Sequence, residues 1–249
     1  MKKSNNKILV FDLDGTLIDK NEKFSNELSN SLRNNSDIKI LATGRNKCSI
    51  DNCNVLAKVL KSFNPNIVCY NGNAIYNFET KSFRVINSFS ILRNDLIQFG
   101  LHYIIDIGGS IYASSNNARL KFCYINRLPR SSVEIGIPFC KVYLDVLLIQ
   151  CFDNKLLELS LSTTDVEVNK NKNFLIFYPL YTGKENGVSY LIKSLMLVGN
   201  IVSFGDGIND ISLLSWSTTG VAVKDSCQPL KNVADKILSF ELYKFINNL

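Results

Sequence analysis

Two aspartates two positions apart, Asp12 and Asp14, end the apolar run in "VFDLDGTLID", residues 10 to 19. A carboxylate at the end of a hydrophobic strand is costly unless something requires it there. A second acidic segment, "GDGIND", carries Asp206 and Asp210 near the other end of the chain. Thr43 and Gly44 follow a further strand-like run in "LATGR". Polar residues at the carboxyl ends of neighbouring parallel strands converge in one crevice, where such sheets bind ligands. Four carboxylates in one crevice repel each other unless a cation sits among them. Hard oxygen donors without His or Cys indicate Mg²⁺ rather than zinc.

The elements that must position these groups are legible as hydrophobic patterns. "KILVFD" (7–12) is a continuous β-branched and aromatic run, as in a strand buried on both faces. "EKFSNELSNSLRN" (22–34) spaces Phe24, Leu28 and Leu32 as a helix does. "DIKILATGR" (37–45) predicts a second strand running into a turn at Gly44. "NCNVLAKVLKSF" (52–63) predicts a helix ended by Pro65, and "NIVCYNGNAIYN" (66–77) a strand with a turn at Asn71-Gly72. Strand alternating with helix is the signature of a parallel, doubly wound sheet.

Past residue 78 the texture changes. "SFRVINSF", "SIYASS", "LDVLLIQCF", "LELSLST" and "FLIFYPL" are separate strand-like runs, with a helix expected over 93–101. From about 182 the first texture returns. "ENGVSYLIKSLML" (185–197) has helical period, "NIVSFGDG" (200–207) reads as a strand, "DISLLSWS" as a short helix, and "GVAVK" (220–224) and "ADKIL" (234–238) as strands. The expected fold class is α/β: a doubly wound, Rossmann-like parallel-sheet core with a smaller inserted α+β domain. The core takes residues 1–78 and 182–249, and the insertion takes 79–181.

Composition bounds the function. The 249 residues are 46% hydrophobic and 20% charged, ordinary for a globular protein with a proper core. No apolar run approaches a membrane span, and Asp12 and Asp14 interrupt the N-terminal apolar stretch too early for a secretory signal. A cytoplasmic protein is the expectation. The net charge of +6 comes from scattered Lys and Arg, so neither nucleic acid nor a membrane is the expected partner, and a mildly basic site suits a phosphorylated small molecule. Seven cysteines without a Cys-x-x-Cys read as free thiols, and the single histidine, His102, reads as structural.

The order "DLDGTL … TGR … K … GDGIND" resembles the haloacid dehalogenase superfamily of phosphohydrolases, and within it the Cof-like branch. The resemblance spans the chain and is strongest in the core. It implies that the insertion is an α/β cap, which closes over the site and chooses the substrate. It makes Asp12 the nucleophile that forms an aspartyl phosphate, splitting one hard displacement into two easier ones. Asp14 becomes the acid that protonates the leaving oxygen, and then the base that activates water. Pumps and transferases that preserve the acyl phosphate often lack that second carboxylate, so Asp14 argues for hydrolysis. The phosphate falls to Leu13, Thr43, Gly44, Lys184 and Asn209. Mg²⁺ falls to Asp12, the main-chain carbonyl of Asp14, Asp206 and Asp210, with Asp210 acting at second remove or through water.

The chain departs from the family pattern in places. The lysine segment is "GKENG" where the Cof-like pattern has Lys-Gly before a helix; Lys184 is the expected residue over Lys193 or Lys172. Lys224-Asp225 stands where Gly-Asn is common, and the Asp-Gly-Val-Ala of many relatives is missing near the C-terminus. Arg45 is expected to be a solvated neighbour. Asn71-Gly72 is either a plain turn or the Asn-Gly that faces the site in the family. Arg119, Lys121, Arg127 and Arg130 are either substrate contacts or a solvated basic face. The implied activity is Mg²⁺-dependent hydrolysis of small phosphomonoesters, most plausibly sugar phosphates. The rivals are a phosphomutase and a binding module on a retired phosphatase fold.

Overall fold

The computed structural model describes residues 7–138, 143–152, 164–169 and 174–249. The strand expected from "LELSLST" lies outside these residues, as do Cys140 and Lys172. The chain divides into two compact units. The first takes residues 1–45, 53–82 and 183–249, and the second takes 46–52 and 83–182.

The chain opens with β1 (Lys7–Phe11), α1 (Asn26–Asn34), β2 (Ile38–Ala42), α2 (Lys47–Asp51), α3 (Leu56–Val59), β3 (Asn66–Cys69) and β4 (Ala74–Asn77). The second unit then supplies β5 (Phe83–Val85), β6 (Phe89–Leu92), β7 (Tyr103–Ile107), β8 (Ser110–Ala113), α4 (Asn116–Asn126), β9 (Glu134–Ile135), β10 (Tyr143–Val146), β11 (Leu148–Cys151), β12 (Thr164–Asn169) and β13 (Phe174–Pro179). The chain closes with α5 (Lys184–Ser194), β14 (Asn200–Gly205), α6 (Ile211–Trp216), β15 (Thr219–Ala222), α7 (Gln228–Lys231), β16 (Lys236–Ile237) and α8 (Leu242–Ile246). No helix among the described residues is long and apolar enough to cross a membrane.

In the first unit the sheet runs β16-β15-β14-β1-β2-β3-β4. Its strands are parallel except at the β3–β4 hairpin, which is antiparallel. The register sets Phe11 opposite both Phe204 and Leu41. The strand ends are therefore level, and Asp12, Thr43 and Asp206 leave the sheet at one edge. The chain leaves β1 toward β2 and leaves β14 toward β15, in opposite directions, which makes the gap between β1 and β14 a switch point of the kind that binds ligands. The Phe11 ring stacks on Phe204 at 4.5 Å, and Phe63 and Phe245 close on the pair edge-on at 5.5 and 6.0 Å. This aromatic packing fixes the two strands that carry the acidic segments.

The second unit holds a mostly antiparallel sheet in the order β12-β13-β11-β7-β8-β9, and the pair β10-β6. Successive residues of β7 face opposite sides, as a period of two requires. Ile105 joins a core with Phe99, Ile149 and Phe177, while Ile104 joins one with Ile111, Phe122 and Phe174. Cys48 of α2 packs against the second of these cores, which is why residues 46–52 group with this unit.

Several elements differ from expectation. The first helix begins at Asn26 rather than residue 22, because Ser25 caps it by accepting a bond from the Leu28 amide. The helix expected over 52–63 is a single turn of α3 and a 3₁₀ turn over Leu60–Ser62. An unexpected helix, α2, precedes it, capped by Asn46 through the Ser49 amide at 2.7 Å. The segment over 93–101 is a 3₁₀ helix at Arg93–Phe99. The basic stretch that carries Arg119 and Lys121 falls on α4, and Arg127 is left-handed directly after its last residue, Asn126. The Nδ1 of His102 lies 2.8 Å from the hydroxyl of Ser115, the residue that caps α4.

Candidate active site

Asp12 is buried directly after β1, where its own amide donates to the Phe204 carbonyl at 3.0 Å. Lys184, the first residue of α5, is fully buried. Its ammonium donates to Asp12 Oδ1, and to Asp210 Oδ1 at 2.6 Å. The lysine is thus placed on the nucleophile candidate although 172 residues separate them in sequence. Asp210 is fully buried as well. Its other oxygen accepts the amides of Asp206 and Gly207, each at 3.0 Å, so its side chain shapes the loop that presents Asp206.

Asp12, Asp206 and Asp210 each bring a carboxylate oxygen within 4.8 Å of the others. Three carboxylates face one ammonium there. Burial, opposed by Lys184 and reinforced by Asp210 and Asp206, pushes Asp12 from an ordinary 3.8 up to about 7. Burial and then Asp210 carry Asp206 up to about 6. Burial works against the Lys184 charge, but Asp12 and Asp210 outweigh it and hold its proton more tightly than in a free lysine. The cluster carries more negative charge than its one lysine balances. That is the electrostatic condition for taking up a cation or a proton.

A measurable consequence concerns stability. Between pH 4 and about 7 the folded protein holds a proton on Asp12 that the unfolded chain has released. Folding stability contributed by this group therefore falls as pH rises through that window, by on the order of a few kcal/mol. In metal-free buffer the melting temperature should fall from pH 5 to pH 7.5 more steeply in the native sequence than in Asp12→Asn. Parallel slopes would remove Asp12 as the source.

Gly15 is required by this cluster. Its φ is +85°, and a β-carbon there would lie 2.2 Å from Asp206 Oδ2. The tight turn after Asp14 thus makes room for the Asp206 carboxylate. Leu13 is buried between the two aspartates, and its carbonyl accepts the amides of Leu17 and Ile18, both at 3.0 Å.

Thr43 is fully buried after β2, and its hydroxyl accepts the Arg45 amide at 3.1 Å. The turn at Tyr70–Gly72 is bonded to this loop. The amide of Asn71 donates to the Thr43 carbonyl at 3.2 Å, and that of Tyr70 to the Arg45 carbonyl at 3.0 Å. Asn71 is left-handed at φ 51°, a conformation asparagine tolerates. Its side-chain carbonyl accepts from Asn209 Nδ2 at 3.1 Å, and a β-carbon on Gly44 would lie 2.8 Å from that same oxygen. Asn71 therefore joins the Thr43–Gly44 loop to Asn209 and is more than a plain turn residue.

Asp14 stands apart from the carboxylate cluster. Its side chain is half exposed and is gripped by Arg45, whose Nε donates to Oδ2 at 2.9 Å and whose Nη2 donates to Oδ1 at 2.7 Å. Nη2 also donates to Glu22 Oε1 at 2.7 Å. The expectation that Arg45 is a solvated neighbour is corrected: its side chain is only 16% exposed, because two carboxylates draw it inward. Burial disfavours its charge, but Asp14 and Glu22 more than compensate. Sequence reading gave no signal for Glu22, which falls in a stretch expected to start a helix.

Arg119, Lys121, Arg127 and Arg130 lie in the second unit. Arg119 bonds Asn116 at 2.8 Å, and Lys121 sits 5.9 Å from the centre of the Phe152 ring.

Comparison with known proteins agrees with the motifs. A haloacid dehalogenase-like hydrolase from Bacteroides thetaiotaomicron is 21% identical, with a TM-score of 0.74 over 98% of this chain and 99% of that one. A subclass IIB sugar phosphatase of the same superfamily is 20% identical, with a TM-score of 0.73 over 98% of each chain. These identities establish the fold alone. An uncharacterised protein of Geobacillus stearothermophilus is 40% identical over 58 residues, which are 23% of this chain and 61% of that relative's length. The model of the haloacid dehalogenase-like hydrolases matches residues 9–241, and the chain belongs to that family.

Proposed function

We propose that the protein is a Mg²⁺-dependent phosphatase acting on small phosphomonoesters of the sugar phosphate class, through an aspartyl phosphate. The observation that carries this reading is the cluster of buried Asp12 and Asp210 and half-buried Asp206 around Lys184 at the carboxyl edge of the sheet, with Asp14 two residues from Asp12. A neighbour of the same fold is a sugar phosphatase, which suggests the substrate class to test first. The partner is then a small phosphorylated metabolite rather than nucleic acid or a membrane.

Asp12 attacks phosphorus through a carboxylate oxygen, and the bond to the leaving oxygen breaks. Asp14 gives that oxygen its proton, then takes one from the water that cleaves the acyl phosphate. Lys184 holds Asp12 in place and offers positive charge to the phosphoryl oxygens. Leu13, Thr43, Gly44 and Asn209 serve to orient the phosphate, with Asn71 steadying the last three. Asp12, the Asp14 carbonyl and Asp206 would hold Mg²⁺, and Asp210 would support it through the Asp206 loop. The acidic excess of the cluster fits a divalent cation. When bound, Mg²⁺ offsets charge between the carboxylates and the phosphate. Substrate selection is assigned to the second unit.

The test is phosphate release from a panel of sugar phosphates, nucleotides and 4-nitrophenyl phosphate, with and without Mg²⁺. Metal-dependent release is expected, strongest on a sugar phosphate. No release from any ester by folded protein in Mg²⁺ would refute the reading. Transfer between two hydroxyls of one sugar, faster than phosphate release, would make it a mutase.

A further inference from the structure

One contact remains unexplained by the reaction as written. Arg45 binds both oxygens of Asp14, the group that must deliver a proton to the leaving oxygen. A carboxylate held by two guanidinium bonds is fixed in one rotamer. To act as an acid, Asp14 must turn away from Arg45. That would leave a largely buried cation without a partner, which is costly.

Glu22 meets this difficulty. A single nitrogen of Arg45, Nη2, donates to Asp14 Oδ1 and to Glu22 Oε1, both at 2.7 Å. The Glu22 side chain is only 30% exposed. Its backbone is held left-handed, φ 56°, a conformation uncommon for a residue with a β-carbon. The loop around it is pinned by Asp19, whose carboxylate accepts the amides of Asn21 and Lys23, both at 2.8 Å. The Glu22 amide also donates to the Asp19 carbonyl at 2.9 Å. The loop thus sets Glu22 on Arg45 at the cost of an unfavourable backbone.

We propose that Glu22 is a positioning residue that shares Arg45 with Asp14, keeps the guanidinium paired when Asp14 swings to the leaving group, and so sets how readily Asp14 reaches the leaving oxygen. The proposal rests on the phosphatase reading. It predicts that the first half-reaction depends on Glu22 only where the leaving group needs a proton. An alkoxide needs one; 4-nitrophenolate leaves without it.

The experiment is single-turnover release of the leaving group by the native sequence, Glu22→Gln and Glu22→Asp. The esters are the best alkyl phosphate of the panel and 4-nitrophenyl phosphate. Glu22→Gln is expected to slow alcohol release about tenfold while changing 4-nitrophenolate release less than about twofold, a loss within the range of general acid catalysis. Glu22→Asp keeps the charge and should recover part of the alkyl rate. Equal slowing on both esters would overturn the proposal and make Glu22 a structural support of the loop. Unchanged rates on both would overturn it as well. A native protein that releases neither leaving group would refute the phosphatase reading, and this proposal with it. Melting curves of the three proteins exclude misfolding as the cause of a difference.

Discussion

Asp12→Asn is expected to lower turnover by about four orders of magnitude or more on every ester, because the amide cannot form the acyl phosphate. The change is nearly isosteric, so the fold should persist. It also removes one of three mutually repelling carboxylates, in a site where burial already pushes Asp12 up to about 7. The metal-free variant should therefore melt no lower than the native sequence at pH 7.5, and its dependence on Mg²⁺ for stability should weaken. Phosphate release on the panel and thermal melts with and without Mg²⁺ check both halves. Surviving activity would reassign the nucleophile. A large drop in melting temperature would mean that Asp12 is held chiefly by its bond to Lys184.

Lys184→Met should do the opposite to stability. The lysine is fully buried and joins Asp12 to Asp210. Removing one partner of a buried ion pair leaves an uncompensated charge, which costs roughly 3–5 kcal/mol. Here two carboxylates lose their cation together. The methionine keeps most of the stem volume, so the loss reports charge rather than a cavity. Mg²⁺ should recover part of the stability by taking up the released negative charge, while turnover stays lost. Urea denaturation across a Mg²⁺ series measures this. Unchanged stability without metal would show that the carboxylates take up protons at no cost, and that Lys184 does not hold the cluster together.

The legible parts of the sequence share one physical trait. Runs such as "KILVFD" and "NIVSF" are apolar on both faces, so only a central parallel strand accommodates them, and an aspartate at their end is conspicuous. The fold class and the convergence of Asp12, Thr43 and Asp206 follow from that trait. Lys184 came from motif order rather than pattern, and its placement on Asp12 needed the three-dimensional fold. The inserted unit was harder to read. The helix α4 begins at a Ser115 cap, but Arg119 and Lys121 interleave with its buried Ala118, Phe122 and Cys123 and blur its period. The helix expected over 52–63 failed because apolar spacing does not report where caps and turns cut the chain. The Arg45 arrangement was invisible for another reason. Its partners are 31 and 23 residues away in sequence, in a loop whose geometry depends on a left-handed Glu22. No local signal encodes a meeting of that kind.

The pairing of β1 with β14 also constrains how the protein comes into being. Lys7 lies opposite Asn200, and the two central strands come from opposite ends of the chain. On a ribosome adding about 5–20 residues per second, β1 waits on the order of 10 to 40 s for its neighbour. Through that interval Asp12 and Asp14 have neither Lys184 nor Asp206 beside them. An apolar strand without its partner is a hazard for aggregation, and contacts of such long range slow folding. The second unit, contiguous but for residues 46–52, can gather its own core while the first unit waits. The active site is then assembled late, because its two acidic segments are joined only when that central pair closes.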